Sequence, residues 1–326
     1  MVEIPLPVVA SRSLAREAGL TDSRISRLVR RGAWTRLRQG QLSPADLSDA
    51  HVRWRAEVLA AARSLQRPVV LSHAHAARAW GLPTPLGGLG PVTFVSSVGS
   101  SRFSSSLVVR RAPLDDTEVA AMGAVSVTTP VRTVLDCART LEPRDALAIT
   151  DAALRAGRVT HRDLDEAFER CRGWPGSRRA AEVLRLGDGR RESPLESWSA
   201  WCFHQLGVPQ PRWQVTVLDA EGVFLGRVDA WWAEGVAGEA DGRAKYALSG
   251  ADEVGAVHAE RLRETAMRRT GAGMVRWGAA DVLRADRAAA LARHVQHERA
   301  ADRRVTARLL EPDEAGADAT DRGAAT

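Results

Sequence analysis

The sequence is almost without lysine and tyrosine, and it has few cysteines. In 326 residues Lys245 is the only lysine and Tyr246 the only tyrosine, so 45 of the 46 Lys and Arg residues are arginine. Cys137, Cys171 and Cys202 lie far apart and form no CxxC pair. This pattern argues against a disulfide framework and against a zinc site, and it fits a reducing compartment. We therefore expect a cytoplasmic protein.

Long apolar runs are also absent. No run approaches the roughly 18–20 residues that a membrane-spanning helix needs. The first residues have no basic segment ahead of their short apolar stretch, as a signal peptide would have. We expect neither a membrane span nor a signal peptide. The length predicts two or three domains, because a domain usually takes about 100–200 residues.

The positive charge is modest in amount and consists almost wholly of arginine. The formal net charge is +6 and the pI is about 10.3. Arginine suits phosphate recognition because its planar guanidinium binds two oxygens at once. The composition favours a polyanionic partner, and high-GC codon usage explains part of the same arginine content.

The first forty residues predict two helices and a hairpin. "SLAREAGL" predicts a short helix that ends at Gly19, and "TDSRISRLVRRG" predicts a second helix between an N-cap at Thr21 and a stop at Gly32. "AWTRLRQGQL" alternates and breaks at a Gln-Gly pair, which is typical of a small hairpin. Helix, tight turn, basic helix and hairpin is the order of a winged helix-turn-helix, which we assign to residues 1–45.

Arginines are concentrated in this segment. Residues 11–40 contain eight arginines against two acids, Glu17 and Asp22. Those of the second helix project roughly opposite its apolar face, and two more fall on the hairpin, where a wing would meet backbone phosphates. The alternative interpretation is an amphipathic helix with a solvated basic face. The candidate DNA contacts are Arg24, Arg27, Arg30, Arg31, Arg36 and Arg38.

Residues 46–190 predict an α+β middle domain that ends in a linker. "RDALAITDAALRAG" is typical of a helix, and "PVTFVSS" and "SSLVVRR" are typical of strands. His73 and His75 are spaced i, i+2 and do not share a helix face, so we interpret them, with His51, as capping or surface residues. "RGWPGSRRAAEVLRLGDGRRESPLE" predicts the linker. The acidic, aromatic-free residues 311–326 predict a disordered tail.

The last domain, assigned to residues 191–310, begins with a helix-start signal. Ser193 is the predicted N-cap of "SPLESWSAWCFHQLG", Pro194 takes the first helical position, and Glu196 takes the third. Glu196 can therefore reach back to the N-cap amide in a capping box. Three strand-like segments follow, "RWQVTVL", "VFLGRVDAWW" and "VAGEAD".

Carboxylates recur on the last two of these strands. A short turn between the strands would bring Asp229 beside Glu239, and Asp241 shares a face with Glu239. Carboxylates at contact distance repel unless a cation neutralises them, and oxygen ligands suit Mg²⁺ or Mn²⁺. Asp229 and Glu239 are thus candidate metal ligands, or else ordinary polar residues at a sheet edge. Lys245 in "GEADGRAKY" either acts on water or phosphate beside that ion or lies on the surface.

A helix with a glutamate, a hairpin with an aspartate and Glu-x-Asp-Gly on the next strand resemble the PD-(D/E)XK nuclease superfamily. The resemblance is to the branch related to very-short-patch-repair endonucleases and covers about residues 191–300. It implies a restriction-endonuclease-like α/β domain with a Mg²⁺ or Mn²⁺ cofactor. The implied catalytic positions are Glu196, Asp229, Glu239, Asp241 and Lys245. The superfamily usually has lysine at the position of Asp241, so Lys245 is either a relocated lysine or unrelated. For Glu196 the capping role is an alternative to the catalytic role, and both roles can coexist.

The front of the chain resembles a second family. "REAGLTDSRISRLVRRGAWTRLRQG", "VVLSHAHAARAWGLP" and "VTTPVRTVLDCART" are similar to AbiEi-type antitoxins of abortive-infection toxin–antitoxin systems, over about residues 8–170. The resemblance implies a winged helix that binds operator DNA for autorepression. It also implies a following domain that opposes a nucleotidyltransferase-like toxin. This chain has "GQL" where members usually show a Gly-Val-Tyr-like wing end.

The sequence therefore predicts a multidomain α/β protein with a winged helix, an α+β middle domain and a nuclease-like domain. Three functional hypotheses follow. The first is a transcriptional regulator of antitoxin type that binds double-stranded DNA. The second is an active divalent-metal-dependent DNA endonuclease targeted by its winged helix. The third is a partner-binding scaffold that contacts no nucleic acid.

Overall fold

The computed structural model of the chain describes residues 8–242 and 263–310. Within these ranges it contains three β-sheets and twelve α-helices, which confirms the predicted mixed α/β multidomain class. Contacts divide the chain into two compact units, Met1–Cys137 and Ala138–Thr326. The finer three-domain boundaries stay a prediction, and the predicted tail lies outside the described residues. Over the same ranges every helix is too short or too polar to cross a membrane.

The first unit opens with a small antiparallel sheet against two helices. Its strands lie in the order β1-β3-β2. The hydroxyl of Thr21 accepts from the backbone N–H of Arg24 and begins the second helix, and Ile25 is buried with Ala15 and Leu42. The elements are β1 (Ala10–Ser11), α1 (Arg12–Glu17), α2 (Asp22–Arg30), β2 (Thr35–Arg38) and β3 (Gln41–Ser43).

The remainder of this unit is a six-stranded sheet with helices, in the order β6-β7-β5-β4-β9-β8. Trp54 packs with Phe94, Val109 and Val127 in its core. The elements are α3 (Ala50–Arg63), β4 (Val70–Leu71), α4 (His73–Ala79), β5 (Val92–Ser96), β6 (Arg102–Phe103), β7 (Leu107–Arg111), β8 (Val119–Met122), β9 (Val125–Thr128) and α5 (Pro130–Thr140), whose last residues belong to the second unit.

Two histidines of α4 correct the sequence interpretation. His73 and His75 are buried, whereas we expected capping or surface residues. The indole N–H of Trp54 donates to Nδ1 of His75 at 3.0 Å, and the other ring nitrogen of His75 lies 3.4 Å from the carbonyl oxygen of Gly90. His75 is thus a buried residue whose two ring nitrogens pair with the indole of Trp54 and with the backbone of Gly90. The i, i+2 spacing gave no sign of this because both bonds join residues distant in sequence.

The second unit combines a helical layer with a five-stranded sheet in the order β13-β12-β11-β10-β14. Strands β10 to β12 run antiparallel, and β13 lies parallel to β12. The elements are α6 (Pro143–Arg155), α7 (His161–Arg170), α8 (Ser177–Leu186), α9 (Pro194–Gln205), β10 (Arg212–Leu218), β11 (Phe224–Trp232), β12 (Val236–Asp241), α10 (263–269), β13 (Gly273–Gly278), α11 (Ala279–Leu283), α12 (Ala285–Ala300) and β14 (Arg308–Leu310).

The segment predicted as a linker is structured. It forms α8, with Ala180 and Val183 buried, and it continues to Arg191, which is 2% exposed. Nη1 of Arg191 lies 2.6 Å from the carboxylate of Asp151 on α6, and its guanidinium lies over the ring of Trp213, 5.3 Å from the centroid. The pair fastens the start of α9 to α6. Glycine, proline and charge in this segment mark turns around a helix.

The bond between Trp54 and His75 predicts a stability defect when its acceptor is removed. His75→Leu leaves a buried indole N–H unpaired, so we expect the free energy of unfolding to fall by about 1–3 kcal/mol at pH 7.5. His75→Gln offers an amide oxygen to the same N–H and should lose less. Urea unfolding measures both changes, and an equal loss in the two variants would contradict the role of the acceptor.

The same residue predicts a pH dependence. Burial, helped by the charge of Arg78, lowers the pKa of His75, so the folded chain keeps a neutral ring. The unfolded chain takes up a proton near pH 6.5, and stability must therefore decrease as the pH falls through that value. We expect wild type to lose more stability between pH 7.5 and 5 than His75→Gln does. Parallel pH profiles would show that His75 contributes nothing.

The buried Asp151–Arg191 pair predicts a large effect of removing one partner. Arg191→Met leaves the buried carboxylate of Asp151 with the Asp188 amide and the Ser197 hydroxyl but without a cation, and it should destabilise the second unit by about 3–5 kcal/mol. Arg185→Met, at an exposed arginine of α8, is the matched control and should change the stability by less than about 0.5 kcal/mol. Denaturant unfolding of the two variants tests this, and similar small losses in both would refute it.

Candidate nucleic-acid interface and acidic cluster

The surface of α2 and the β2–β3 hairpin carries exposed arginines. Their side chains point to solvent, and none makes an ion pair with an acidic residue in the described part of the chain. On α2 Arg27 follows Arg24 by three residues and is followed by Arg30 and Arg31 at three and four residues, so these side chains lie along one side of the helix. This basic surface consists of Arg24, Arg27, Arg30, Arg31 and Arg36.

The acidic residue of this helix is already neutralised. Asp22 begins α2, and its carboxylate accepts from the guanidinium of Arg16 and lies 3.5 Å from that of Arg12. The hydrogen bond from Arg16 lowers the pKa of Asp22. The guanidinium groups of Arg12 and Arg16 on α1 therefore offset this negative charge, and the basic surface stays positive.

Arg38 has a different environment from the other five predicted DNA contacts. Its Nη2 donates to the carbonyl oxygen of Ser106 at 2.7 Å, and Nη1 lies 3.4 Å from the Ser106 hydroxyl. Burial lowers the pKa of Arg38. The side chain thus ties the β2–β3 hairpin to the loop before β7. Sequence reasoning missed this partner because it lies 68 residues away.

The second unit contains a cluster of buried acids between α9 and the sheet, and Glu196 is its helical member. Its Oε1 accepts from the Ser193 hydroxyl at 2.7 Å, and its Oε2 accepts from the backbone N–H of Glu192 at 3.0 Å and from Nε2 of Gln214 at 2.8 Å. The predicted N-cap at Ser193 forms, whereas the capping box does not form as predicted, because Glu196 accepts from the amide of Glu192 and not from that of Ser193. Burial raises the pKa of Glu196, and the charge of Asp229 adds to this effect.

Asp229 lies at the centre of the acidic cluster. Its Oδ2 accepts from the backbone N–H of Ala240 at 2.8 Å, and Nε2 of Gln214 lies 3.4 Å from its Oδ1. A single amide nitrogen of Gln214 therefore bridges the carboxylates of Asp229 and Glu196. All three side chains are more than nine-tenths buried.

Glu239 lies on the neighbouring strand. Ala230 pairs with Gly238, so Asp229 and Glu239 are the next positions facing each other across the antiparallel strands. Glu239 is 7% exposed, and its Oε1 accepts from Nη2 of Arg263 at 3.3 Å.

Arg263 reaches Glu239 across strand β11. Its side chain passes over Gly226, where a β-carbon would lie only 2.8 Å from Cδ of Arg263. A side chain at this position would therefore have to displace Arg263, and glycine leaves the route open. Glu239 is thus paired with a guanidinium, a contact that the sequence analysis did not predict.

Of the other two predicted catalytic positions, the structure describes only the first. Asp241 is exposed at the end of β12, and Lys245 lies outside the described residues. Within the described ranges no three His, Cys, Asp or Glu side chains form a group that could hold a metal ion. The candidate site therefore consists of the acidic cluster, Glu196, Asp229 and Glu239, with Gln214 and Arg263 as its polar partners.

Gln214 is the second residue that sequence reasoning missed. It is one of two non-glycine residues with positive φ in the described chain, at 55°, and it lies in the middle of β10. Nothing in "RWQVTVL" indicates this conformation, because the neighbouring residues alternate as an ordinary strand does. Its partners, on α9 and β11, become apparent only in the fold.

Comparison with known proteins supports one of the two resemblances. Residues 91–186 match the family model of the AbiEi antitoxin C-terminal domain. Two uncharacterized proteins of Mycobacterium tuberculosis, one from strain CDC 1551 / Oshkosh and one from strain H37Rv, are 36% identical to this chain over 107 residues. The similar region covers 33% of this chain and 39% of each relative. The family match ends before α9, so the nuclease resemblance stays a prediction. Residues 91–186 thus carry an AbiEi antitoxin C-terminal domain.

Proposed function

We propose that this chain is a DNA-binding transcriptional regulator of the AbiEi antitoxin type. The observation that carries the proposal is the basic surface of α2 and the β2–β3 hairpin, ahead of a region that matches an antitoxin domain. Exposed arginines without acidic partners are costly to crowd together, and a polyanion relieves their mutual repulsion. The guanidinium fork gives such a surface a specific preference for phosphate.

In the proposed complex α2 is the recognition helix of a winged helix-turn-helix. The order of α1, tight turn, α2 and hairpin supports this assignment, as does the spacing of the arginines. Arg24, Arg27 and Arg31 would meet the phosphates that border the DNA groove, and Arg36 would meet the backbone from the wing. Arg38 would hold the wing in place through Ser106.

The proposed partners are operator DNA and a cognate toxin. By its resemblance to the antitoxin family, the domain that follows the winged helix would oppose a nucleotidyltransferase-like toxin. We place this regulator in the cytoplasm, where both partners would be found. The three buried cysteines, which are free thiols, suit a reducing compartment.

The DNA proposal predicts a salt-dependent loss in an arginine variant. Arg27→Ala/Arg31→Ala should weaken binding to duplex DNA from upstream of its own gene. It should also flatten the dependence of log affinity on log salt by about 2, because each lost phosphate contact releases one counterion fewer. Fluorescence anisotropy across a salt series measures both quantities.

Arg293→Ala is the matched control for this experiment. Arg293 is an exposed arginine of α12 outside the basic surface, and its replacement should leave the affinity and the salt slope unchanged. Unchanged binding in the double variant would exclude α2 as the interface. A wild-type chain that binds no duplex even at low salt would instead favour a partner-binding scaffold.

A second candidate function is a divalent-metal-dependent DNA endonuclease. It is favoured by the succession α9, β10, β11, β12, α10 and β13, with β13 parallel to β12, which agrees with the predicted nuclease-like domain. The acidic cluster lies where this succession brings α9, β11 and β12 together. The winged helix would then deliver the domain to DNA.

The described residues offer some oxygen ligands for a hard cation, but they do not form a complete ligand set. Asp229 and Glu239 supply carboxylate oxygens, and Gln214 has a buried amide oxygen without a partner. A bound Mg²⁺ or Mn²⁺ would activate water and stabilise charge on a phosphate. Glu196 accepts three hydrogen bonds and orients the amide of Gln214. Arg263 is paired with Glu239, so a bound cation would have to share that carboxylate with the guanidinium.

The endonuclease candidate predicts nicking that depends on Asp229. Wild type should convert supercoiled plasmid to open circles in Mg²⁺ or Mn²⁺, and Asp229→Ala should abolish this because the central carboxylate is lost. Glu221→Ala, at an exposed acid in the β10–β11 turn, should cut like wild type. Gel analysis of the three proteins decides the question. Nicking that persists in Asp229→Ala, or no nicking with either metal, would count against this function.

A further inference from the structure

The first unit contains a long stretch without acidic residues, beyond the predicted winged helix. Residues 58–114 contain six arginines and no Asp or Glu, so this stretch alone carries as much positive charge as the net value of the whole chain. Arginine without nearby acids gives a positive potential wherever its side chain reaches solvent. Such a surface attracts polyanions, and its place in the fold decides which polyanion it can meet.

Two of these arginines line one surface cavity, which we call the two-arginine cavity. It has a volume of about 360 Å³ and lies between the segment that follows α3 and strand β6. Arg102 is exposed and Arg67 is half-buried, and neither makes an ion pair with an acidic residue in the described ranges. The lining residues are Ser64, Leu65, Gln66, Arg67, Ser100 and Arg102.

The loop before β6 holds Arg67 in place. Nη1 of Arg67 donates to the carbonyl oxygen of Val98 at 3.1 Å. Gly99 has a φ of 72°, and a β-carbon at this position would have to displace the same guanidinium. The bond to Val98 uses one of the five guanidinium donors, so the others stay available for a ligand. An arginine that is already oriented loses less side-chain entropy when it binds.

The β6–β7 hairpin meets the predicted wing at its tip. Arg38, at the end of β2, donates to the carbonyl oxygen of Ser106, which lies in the turn between β6 and β7. Burial lowers the pKa of Arg38, and the positive charge of Arg102 lowers it further, whereas Glu57 on α3 acts in the opposite sense. Arg102 therefore lies beside the hairpin that carries Arg36.

We propose that the two-arginine cavity binds the phosphate backbone of the DNA duplex that α2 and the wing bind. This inference rests on the proposed DNA-binding function and extends its interface beyond the winged helix. Guanidinium groups and serine hydroxyls are common protein donors to phosphate oxygens, and the cavity offers Arg67, Arg102 and the hydroxyl of Ser100. A phosphate contact positions the duplex without reading its sequence.

Continuity with the wing favours DNA over an acidic protein as the occupant. B-DNA carries one negative charge per about 1.7 Å of its axis, so a duplex that passes Arg36 presents further phosphates to Arg102. An acidic protein surface would have to match the positions of both guanidinium groups with its own carboxylates. The wing contact through Arg38 adds nothing to such a match, whereas it places the cavity beside a bound duplex.

The first test measures duplex binding by fluorescence anisotropy across a salt series. Arg67→Ala/Arg102→Ala should lower the slope of log affinity against log salt by about 2, and Arg102→Ala alone should lower it by about 1. Both variants should weaken binding to DNA from upstream of the gene and to an unrelated duplex by the same factor, because phosphates are the same in every sequence. Arg293→Ala is again the control and should bind like wild type.

Phosphate ethylation interference gives a second readout that a merely structural role would not move. Ethylation of certain phosphates should block binding of wild type and have no effect on the Arg67→Ala/Arg102→Ala variant. These phosphates should lie next to those that become insensitive in Arg36→Ala. The same set of sensitive phosphates in wild type and in the cavity variant would overturn the inference.

The outcomes separate this inference from the function on which it rests. Wild-type affinity and slope in both cavity variants, with the loss retained in Arg27→Ala/Arg31→Ala, overturns the inference alone and favours an acidic protein as the occupant. A loss on the upstream duplex without one on the unrelated duplex also overturns it. No duplex binding by wild type overturns the DNA-binding function and this inference together. Should the double variant fail to fold, Arg102→Ala decides, since this side chain is exposed.

Discussion

The burial of negative charge is the constraint on which both units depend. A carboxylate removed from water costs several kcal/mol unless donors or a cation surround it. In the first unit Arg132, which is 1% exposed, lies between Glu118 and Asp136 at 2.7 and 3.0 Å. In the second unit Arg191 does the same for Asp151. A guanidinium suits this task because it supplies up to five donors in a plane.

The position of an arginine in the fold therefore separates those that neutralise buried acids from those whose charge faces solvent. Arg132, Arg191 and Arg263 have acidic partners, and each ties elements together. The arginines of α2 have no such partner among the described residues, and their charge is presented to solvent. Arg38 belongs to neither group, because it lies on the β2–β3 hairpin and its guanidinium donates to a backbone carbonyl. Net charge alone cannot make this distinction.

Local signals predicted much of the fold, and long-range contacts account for what they missed. The predicted N-caps at Thr21 and Ser193 indicated α2 and α9 with nearly the observed limits. The start of a helix can be predicted in this way because it depends on a few adjacent residues. The burial of His75 depends on Trp54, 21 residues away, and the conformation of Gln214 depends on α9 and β11. The segment predicted as a linker forms α8 because α6 supplies a surface for its apolar side chains. The residues of that surface lie outside the segment, so the local sequence does not indicate it.

The basic surface of α2 has a consequence for control. A guanidinium keeps its charge at every physiological pH and is not a substrate for lysine acetylation. The proposed DNA interface contains arginine as its only cation, and the single lysine of the chain lies far along the sequence, so neither lysine acylation nor a change of pH would alter its charge. Its occupancy would then follow ionic conditions, protein abundance and competition by other macromolecules.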